Sequence, residues 1–178
     1  MNIELQNHWN NLVLKAKRYA HAYHRNQMYS EEFPYVMHLQ AVEGVLLRFG
    51  ITIPELRAAA WLHDVLEDTT ATYENLLLEF NEPVALIVAA VTEPKGGNRK
   101  WRHDNTYPRI RKSQEAVLVK LADRIANVEA GWSKFRMYQR EYPEFKKQLH
   151  DDDLQYEDLG YTITIRKMWS YLDSLMEE

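Results

Sequence analysis

Apolar and polar residues alternate along this chain with a helical period almost from end to end. The opening segment, roughly Ile3 to His24, sets Leu5, Trp9, Leu12, Val13, Ala16 and Ala20 near an i, i+3, i+4 spacing. "SEEFPYVMHLQAVEGVLLRFG" reads as a loop and then a helix from about Pro34. Its predicted stripe is Met37, Ala41, Val45, Leu46 and Phe49, with Gly50 as the stop. In "TIPELRAAAWLHDVLEDT", Thr52 is a candidate cap and Pro54 falls in the first turn, where a missing N–H costs nothing. Short helices are expected over about Thr72–Phe80 and Pro83–Val91, and "TEPKGGNRKWRHDNTYP" reads as one long loop. A helix over about Ser113–Ala130 carries "AVLVKLADRIANV". A helix interrupted at Pro143 follows, and a last one covers about Leu159–Met176. "YTITIRKMW" has strand-like residues but no partner strand, so it too reads as helix. The pattern predicts an all-α, single-domain helical bundle spanning residues 1–178.

Composition narrows the class. Apolar residues make up 46% of the 178 and charged residues 27%, as in ordinary globular proteins. Cysteine is absent, which excludes a disulfide framework and any thiolate metal site. No apolar run approaches the roughly 18 residues of a membrane span, and the start carries no signal-peptide pattern. A cytoplasmic enzyme or binding domain with no membrane partner is the expectation. The net charge of −4 argues against a general nucleic-acid binder. Yet between Lys95 and Lys112 lie seven Lys or Arg residues and one acid, Asp104, whereas "DDD" stands at 151–153. A local basic segment on an acidic chain suits a small polyanion such as a nucleotide.

"AAAWLHDVLEDTT", residues 58–70, sets the chemical problem. His63, Asp64, Glu67 and Asp68 sit among Trp61, Leu62, Val65 and Leu66. The three carboxylates lie towards a predicted helix C-terminus, whose partial negative charge repels them, and they repel one another. Unpaired in apolar surroundings they would cost several kcal/mol, on the order of a broken buried ion pair. A divalent cation removes the conflict. His63 and Asp64 are about 100° apart on a helix and can reach one ion at its edge, with Glu67 and Asp68 one turn further on. His38, after "FPYVM", and Asp123, within "VLVKLADRIANV", are polar in equally apolar settings. Taken singly, His38 reads as a core histidine and Asp123 as a partner of Lys120 or Arg124. Together, His38, His63, Asp64 and Asp123 make a nitrogen-and-oxygen set that favours Mn²⁺, Fe²⁺ or Co²⁺, with Mg²⁺ and Zn²⁺ as alternatives.

With "PYVMH" (34–38), "AAAWLHDVLEDT" (58–69), "VTE" (91–93) and "VLVKLADRIANV" (117–128) in this order, the sequence resembles the HD-domain metal-dependent phosphohydrolases. Within them it is most similar to the hydrolase domain of RelA/SpoT-type proteins and the small alarmone hydrolases. The motifs span about residues 20–130. The resemblance implies an all-α fold holding one Mn²⁺ on His38, His63, Asp64 and Asp123. It implies that Glu67 and Asp68 orient and deprotonate the attacking water, and that Asn127 helps hold the sugar or phosphate end of the substrate. The implied reaction removes the 3′-pyrophosphate of guanosine tetra- or pentaphosphate. The basic side chains Lys95, Arg99, Lys100 and Arg102 are candidates to neutralise the phosphates.

The family's basic "RKSG" stretch before "EPYxxHP" is missing. Tyr29 stands where the Arg that packs on guanine is expected, Arg25 is the nearest upstream basic residue, and Leu39 replaces the Pro after the histidine. Tyr29 can stack on a base, whereas Trp101 and Tyr107, like Tyr29 itself, can also simply cover the core. Two rival functions stay open. One is a phosphohydrolase on another nucleotide: a 3′-phosphatase, an NADPH 2′-phosphatase or a nucleoside-monophosphate phosphatase. The other is a non-catalytic, metal-stabilised nucleotide sensor, against which Glu67 and Asp68 argue.

Overall fold

The computed structural model describes residues 3–131, 134–150 and 160–177, with side chains from residue 11 onward. The side chains of Leu5 and Trp9 and the acidic run at 151–153 lie outside the described part of the structure. Among the described residues ten helices follow one another: α1 (Ile3–Tyr23), α2 (Val36–Arg48), α3 (Pro54–Leu62), α4 (Val65–Asp68), α5 (Tyr73–Glu79), α6 (Glu82–Val91), α7 (Arg99–Ile110), α8 (Gln114–Glu129), α9 (Phe135–Leu149) and α10 (Thr162–Met176). No strand is present among the described residues; a single antiparallel bridge pairs Met28 with Pro34. None of the described helices is long and apolar enough to cross a membrane. The architecture is all-α, as the periodicity predicts.

The axis of the bundle is α8. Twelve of its sixteen residues are buried, including Val117, Leu118, Leu121, Ile125 and Val128, so it is enclosed on nearly every side. It packs against α2, α3, α6, α7, α9 and α10, while α1 covers the outer side of α3. Asp123 and Arg124 are its buried charges, and each needs a partner at that depth.

Helix starts follow local chemistry. Thr72 and Asn75 form a reciprocal capping box for α5, and Asn81, Asn98 and Ser113 each accept a backbone N–H at the starts of α6, α7 and α8. Thr52 is no cap. Pro54 keeps its predecessor Ile53 extended (ψ 124°), so α3 begins there without side-chain capping. The stripe of α2 is turned from the predicted one. Met37 and Ala41 face outward, and the buried face is His38, Leu39, Val42, Val45 and Leu46. Counting His38 as polar shifts the apparent phase by one residue.

Two further departures concern the second half. The predicted loop over 92–108 contains α7, whose inner face is Thr106, Tyr107 and Ile110. Its first turn packs so closely on the preceding loop that a Cβ on Gly97, at φ +60°, would stand 2.3 Å from the Trp101 ring; only glycine fits there. Helix α9 runs unbroken through Pro143, because Tyr138, Phe145 and Leu149 bury one face and offset the lost hydrogen bond.

Candidate metal centre and active site

The His-Asp motif does not lie within a continuous helix. Helix α3 ends at Leu62, His63 is its last cap, and Asp64 (φ −102°, ψ −1°) opens the four-residue α4. The break puts His63 Nε2 and Asp64 Oδ2 2.9 Å apart. His38, from the first turns of α2, brings Nε2 to 4.0 Å from the same Asp64 oxygen. Asp123, from the middle of α8, sets Oδ1 3.3 Å from His38 Nε2 and 3.7 Å from His63 Nε2. Donor atoms of His38, His63 and Asp64 thus lie within 4.8 Å of one another, and Asp123 from α8 stands beside both imidazoles.

This cluster calls for positive charge. His63 donates through Nδ1 to the Ala60 carbonyl at 2.9 Å, which leaves Nε2 facing the two carboxylates. That buried nitrogen has no hydrogen-bond partner among the described residues, although Asp64 lies beside it. Burial opposes charge on His63, but the Asp64 and Asp123 carboxylates outweigh it and lift its pKa to about 9. Burial also opposes ionisation of Asp64 and Asp123. The imidazoles beside them, and for Asp123 chiefly Lys120, nevertheless hold both below the usual carboxylate range. Two carboxylates and two imidazole nitrogens, whose repulsions and protons an ion would replace, fit a divalent cation of oxygen- and nitrogen-seeking type.

A second set of side chains fixes these donors. The Tyr35 hydroxyl donates to Asp64 Oδ2. Lys120 Nζ donates to Asp123 Oδ2 at 3.1 Å, and Asn127 Nδ2 donates to Asp123 Oδ1 at 2.5 Å. Asn127 Oδ1 accepts from the Tyr29 hydroxyl at 2.9 Å, and the Tyr29 ring lies parallel to His38, centroids 5.0 Å apart. Both ends of the Asn127 amide are therefore engaged within the protein.

His38, Asp64 and Asp123, with Tyr35 and Asn127, line a cavity of about 330 Å³. Glu67 and Asp68 line it beside the donors. Glu67 Oε2 accepts the Glu93 backbone N–H at 3.1 Å. Burial, then the charges of Asp64 and Glu93, push its pKa up to about 7. Basic side chains line it too: Arg99, Arg102, Lys120, Arg124 and Lys134. Arg102 Nε is bonded to Glu93 at 2.9 Å, and Arg99 is paired with Glu141. Lys95, Lys100 and Arg25 are exposed and do not line the cavity; Lys100 is paired with Asp104 at 2.7 Å. Tyr29 is a wall of the cavity, Trp101 is a surface residue and Tyr107 belongs to the core. Lys120, Arg124, Tyr35, Glu93, Gln27, Lys134 and Tyr138 line the cavity without having been singled out for it in the sequence. Lys120 and Arg124 flank Asp123 in a stretch where the sequence offered them as its salt-bridge partners.

The HD-domain family model matches residues 16–142. The chain belongs to the HD-domain family. It is 36% identical over 151 residues to the guanosine-3′,5′-bis(diphosphate) 3′-pyrophosphohydrolase MESH1 of Danio rerio, covering 78% of this chain and 82% of that protein. A guanosine-3′,5′-bis(diphosphate) 3′-pyrophosphohydrolase of Aquifex aeolicus is 33% identical over 126 residues, 67% of this chain but 18% of that much longer protein. Among solved structures, a metazoan orthologue of SpoT described as hydrolysing ppGpp superposes with a TM-score of 0.71 at 26% identity, over 90% of this chain and 95% of that one. The family membership and the His/Asp cluster together indicate dependence on a divalent metal.

Proposed function

We propose that this HD-domain chain is a metal-dependent hydrolase that removes the 3′-pyrophosphate from guanosine tetra- or pentaphosphate. The observation that carries the reading is the meeting of the His38, His63 and Asp64 donors, with Asp123 beside both imidazoles and two further carboxylates nearby, in a cavity lined by basic side chains. The relatives named above supply the nucleotide.

The four residues would hold the ion, and Mn²⁺ is the assignment that suits a thiolate-free donor set of two imidazoles and two carboxylates. Such an ion supplies Lewis acidity, making water acidic at neutral pH and polarising phosphorus. The protein's own groups do the rest. Glu67, in the cavity beside the donors, takes the proton from the attacking water. Asp68, one residue on and in the same cavity, fixes the direction of that water. The water oxygen bonds to the 3′ phosphorus, the bond from phosphorus to the 3′ oxygen breaks, and that oxygen takes up a proton. Pyrophosphate and GDP or GTP result. Arg99, Arg102 and Arg124, in the lining of the same cavity, neutralise the phosphates, which keeps charge build-up low as the bond breaks. Tyr29 gives the base a flat surface at the cavity edge.

One feature favours a second reading, a phosphohydrolase on another nucleotide: Tyr29 occupies the guanine-stacking Arg position, and its hydroxyl is bonded to Asn127. Incubating the protein and Mn²⁺ with a panel of nucleotides, and measuring pyrophosphate against orthophosphate, separates the two. Pyrophosphate from guanosine 3′-pyrophosphates supports the first; orthophosphate from a monophosphate ester, with the bis(diphosphate) untouched, supports the second.

A further inference from the structure

The segment between α1 and α2 reaches into the cavity by a route the reaction scheme leaves unused. Gln27 Nε2 donates to Asp68 Oδ2 at 2.7 Å. A carboxylate can only accept, so this contact fixes which end of the Gln27 amide faces Asp68. Gln27 Oε1 must then face the other way, where His24 Nδ1 lies 2.6 Å from it. An amide oxygen also only accepts, so His24 Nδ1 carries a proton and donates it. The order His24, Gln27, Asp68 is therefore a directed chain of two hydrogen bonds.

Each member is anchored. His24 is buried and held at the end of α1, its N–H bonded to the Ala20 carbonyl at 2.9 Å. Gln27 is tied on both sides: its N–H donates to His24 O at 2.9 Å, and its carbonyl accepts from Tyr35 N–H at 3.0 Å. The His24 ring stacks on Tyr35, centroids 5.1 Å apart, and Tyr35 in turn donates its hydroxyl to Asp64. Asp68 itself ends the four-residue α4 and is exposed to the cavity, so its own helix does little to fix its rotamer.

We propose that Gln27, aligned by His24, is a positioning residue that holds the Asp68 carboxylate in its working orientation. This rests on the role given above to Asp68 in directing the attacking water. A misplaced group near the reacting atoms lowers the rate of the chemical step far more than it weakens substrate binding. The role needs a hydrogen-bond donor at this place, not merely a side chain of this size.

The test compares Gln27→Ala, Gln27→Glu, Asp68→Ala and the double variant Gln27→Ala/Asp68→Ala, using Mn²⁺ and guanosine 3′,5′-bis(diphosphate). Gln27→Ala should lower kcat about 10- to 100-fold with KM within about threefold. Gln27→Glu, equal in size but unable to donate when ionised, should be at least as slow. In the Asp68→Ala background, Gln27→Ala should cost less than about twofold more, because the partner it positions is gone. His24→Ala should lower kcat in the same way, and His24→Asn, which retains an N–H donor, should recover part of the loss. Metal-induced stabilisation retained by the Gln27 variants shows that the metal site is intact. If Gln27→Glu turns over like the wild type, or if the Gln27 and Asp68 effects simply multiply, the proposal is overturned while the assigned function stands. A wild-type chain that cleaves no 3′-pyrophosphate overturns the assigned function, and this proposal with it.

Discussion

Removing one donor should uncouple the protein's stability from divalent cations, and the size of the effect can be worked out. In the metal-free state Asp64 and Asp123 face His63 Nε2 at 2.9 and 3.7 Å, and that nitrogen has no hydrogen-bond partner among the described residues. An ion bound there stabilises the folded chain by about 2.7 kcal/mol when its free concentration is about 100 times Kd. Unfolding entropy of about 2.1 cal/mol/K per residue converts this to a rise in Tm of about 7 °C for 178 residues. Asp123→Ala deletes a carboxylate that stands 3.3 Å from one imidazole nitrogen and 3.7 Å from the other. A loss of affinity on the order of 100-fold brings the same concentration close to Kd, and the shift should shrink to about 1 °C. Glu67→Gln leaves all four donors in place and should keep the full shift. The assay is scanning calorimetry of chelator-treated protein with and without Mn²⁺, read as the difference for each variant so that their different baseline stabilities cancel. An Asp123→Ala variant that keeps the wild-type shift, or a Glu67→Gln variant that loses it, would refute the assignment of the donors.

Four other outcomes follow from the same geometry. Glu67→Ala should retain metal and lose turnover by about 10²- to 10⁴-fold, the ordinary contribution of a general base; stopped or continuous pyrophosphate release measures it, and wild-type turnover would remove Glu67 from the mechanism. Because burial and the Asp64 and Glu93 charges raise Glu67 to about pKa 7 in the folded metal-free chain, the folded state holds its proton more tightly than the unfolded one. Metal-free stability should thus fall as pH rises from about 4.5 through 7, by about 1–3 kcal/mol more in the wild type than in Glu67→Gln; parallel denaturant profiles for the two would contradict this. Arg99→Ala and Arg102→Ala, on the cavity wall, should raise KM, whereas Lys95→Ala and Lys100→Ala should not, and steady-state kinetics that reverse the pattern would place the phosphates outside the cavity. With Tyr29 as a stacking surface, adenosine and guanosine 3′-pyrophosphates should be cleaved within about tenfold of each other in kcat/KM, a gap of about 1.4 kcal/mol; a guanosine preference above about a hundredfold would show that other groups read the base.

Much of the fold was legible because periodicity survives at the level of single helices. Helices α5, α6, α8 and α10 fall close to their predicted places. The errors occur where the pattern is interrupted by function or by tertiary packing. His38 is buried yet polar, and leaving it out of the apolar stripe turned the predicted face of α2. The His63–Asp64 pair breaks α3 from α4, a break that an unbroken apolar pattern on both sides conceals. Helix α7 is rich in charge and follows two glycines, so its three buried positions are too few to announce it. Helix α9 keeps going past Pro143 because its packing outweighs a local cost that sequence reasoning weighs alone. At the site, the donors stand out as ionisable residues in apolar helices. Their supports do not: Gln27, Tyr35 and Lys134 are ordinary residues of loops and helix ends, and only the closing of the bundle brings them to the cavity.

The most direct test of the account is to incubate the purified chain with guanosine 3′,5′-bis(diphosphate), once with Mn²⁺ and once with chelator, and to separate the products by anion exchange. The account predicts GDP and pyrophosphate in equal amounts with Mn²⁺ and neither with chelator. Orthophosphate as the phosphorus product, or equal cleavage in chelator, would contradict it.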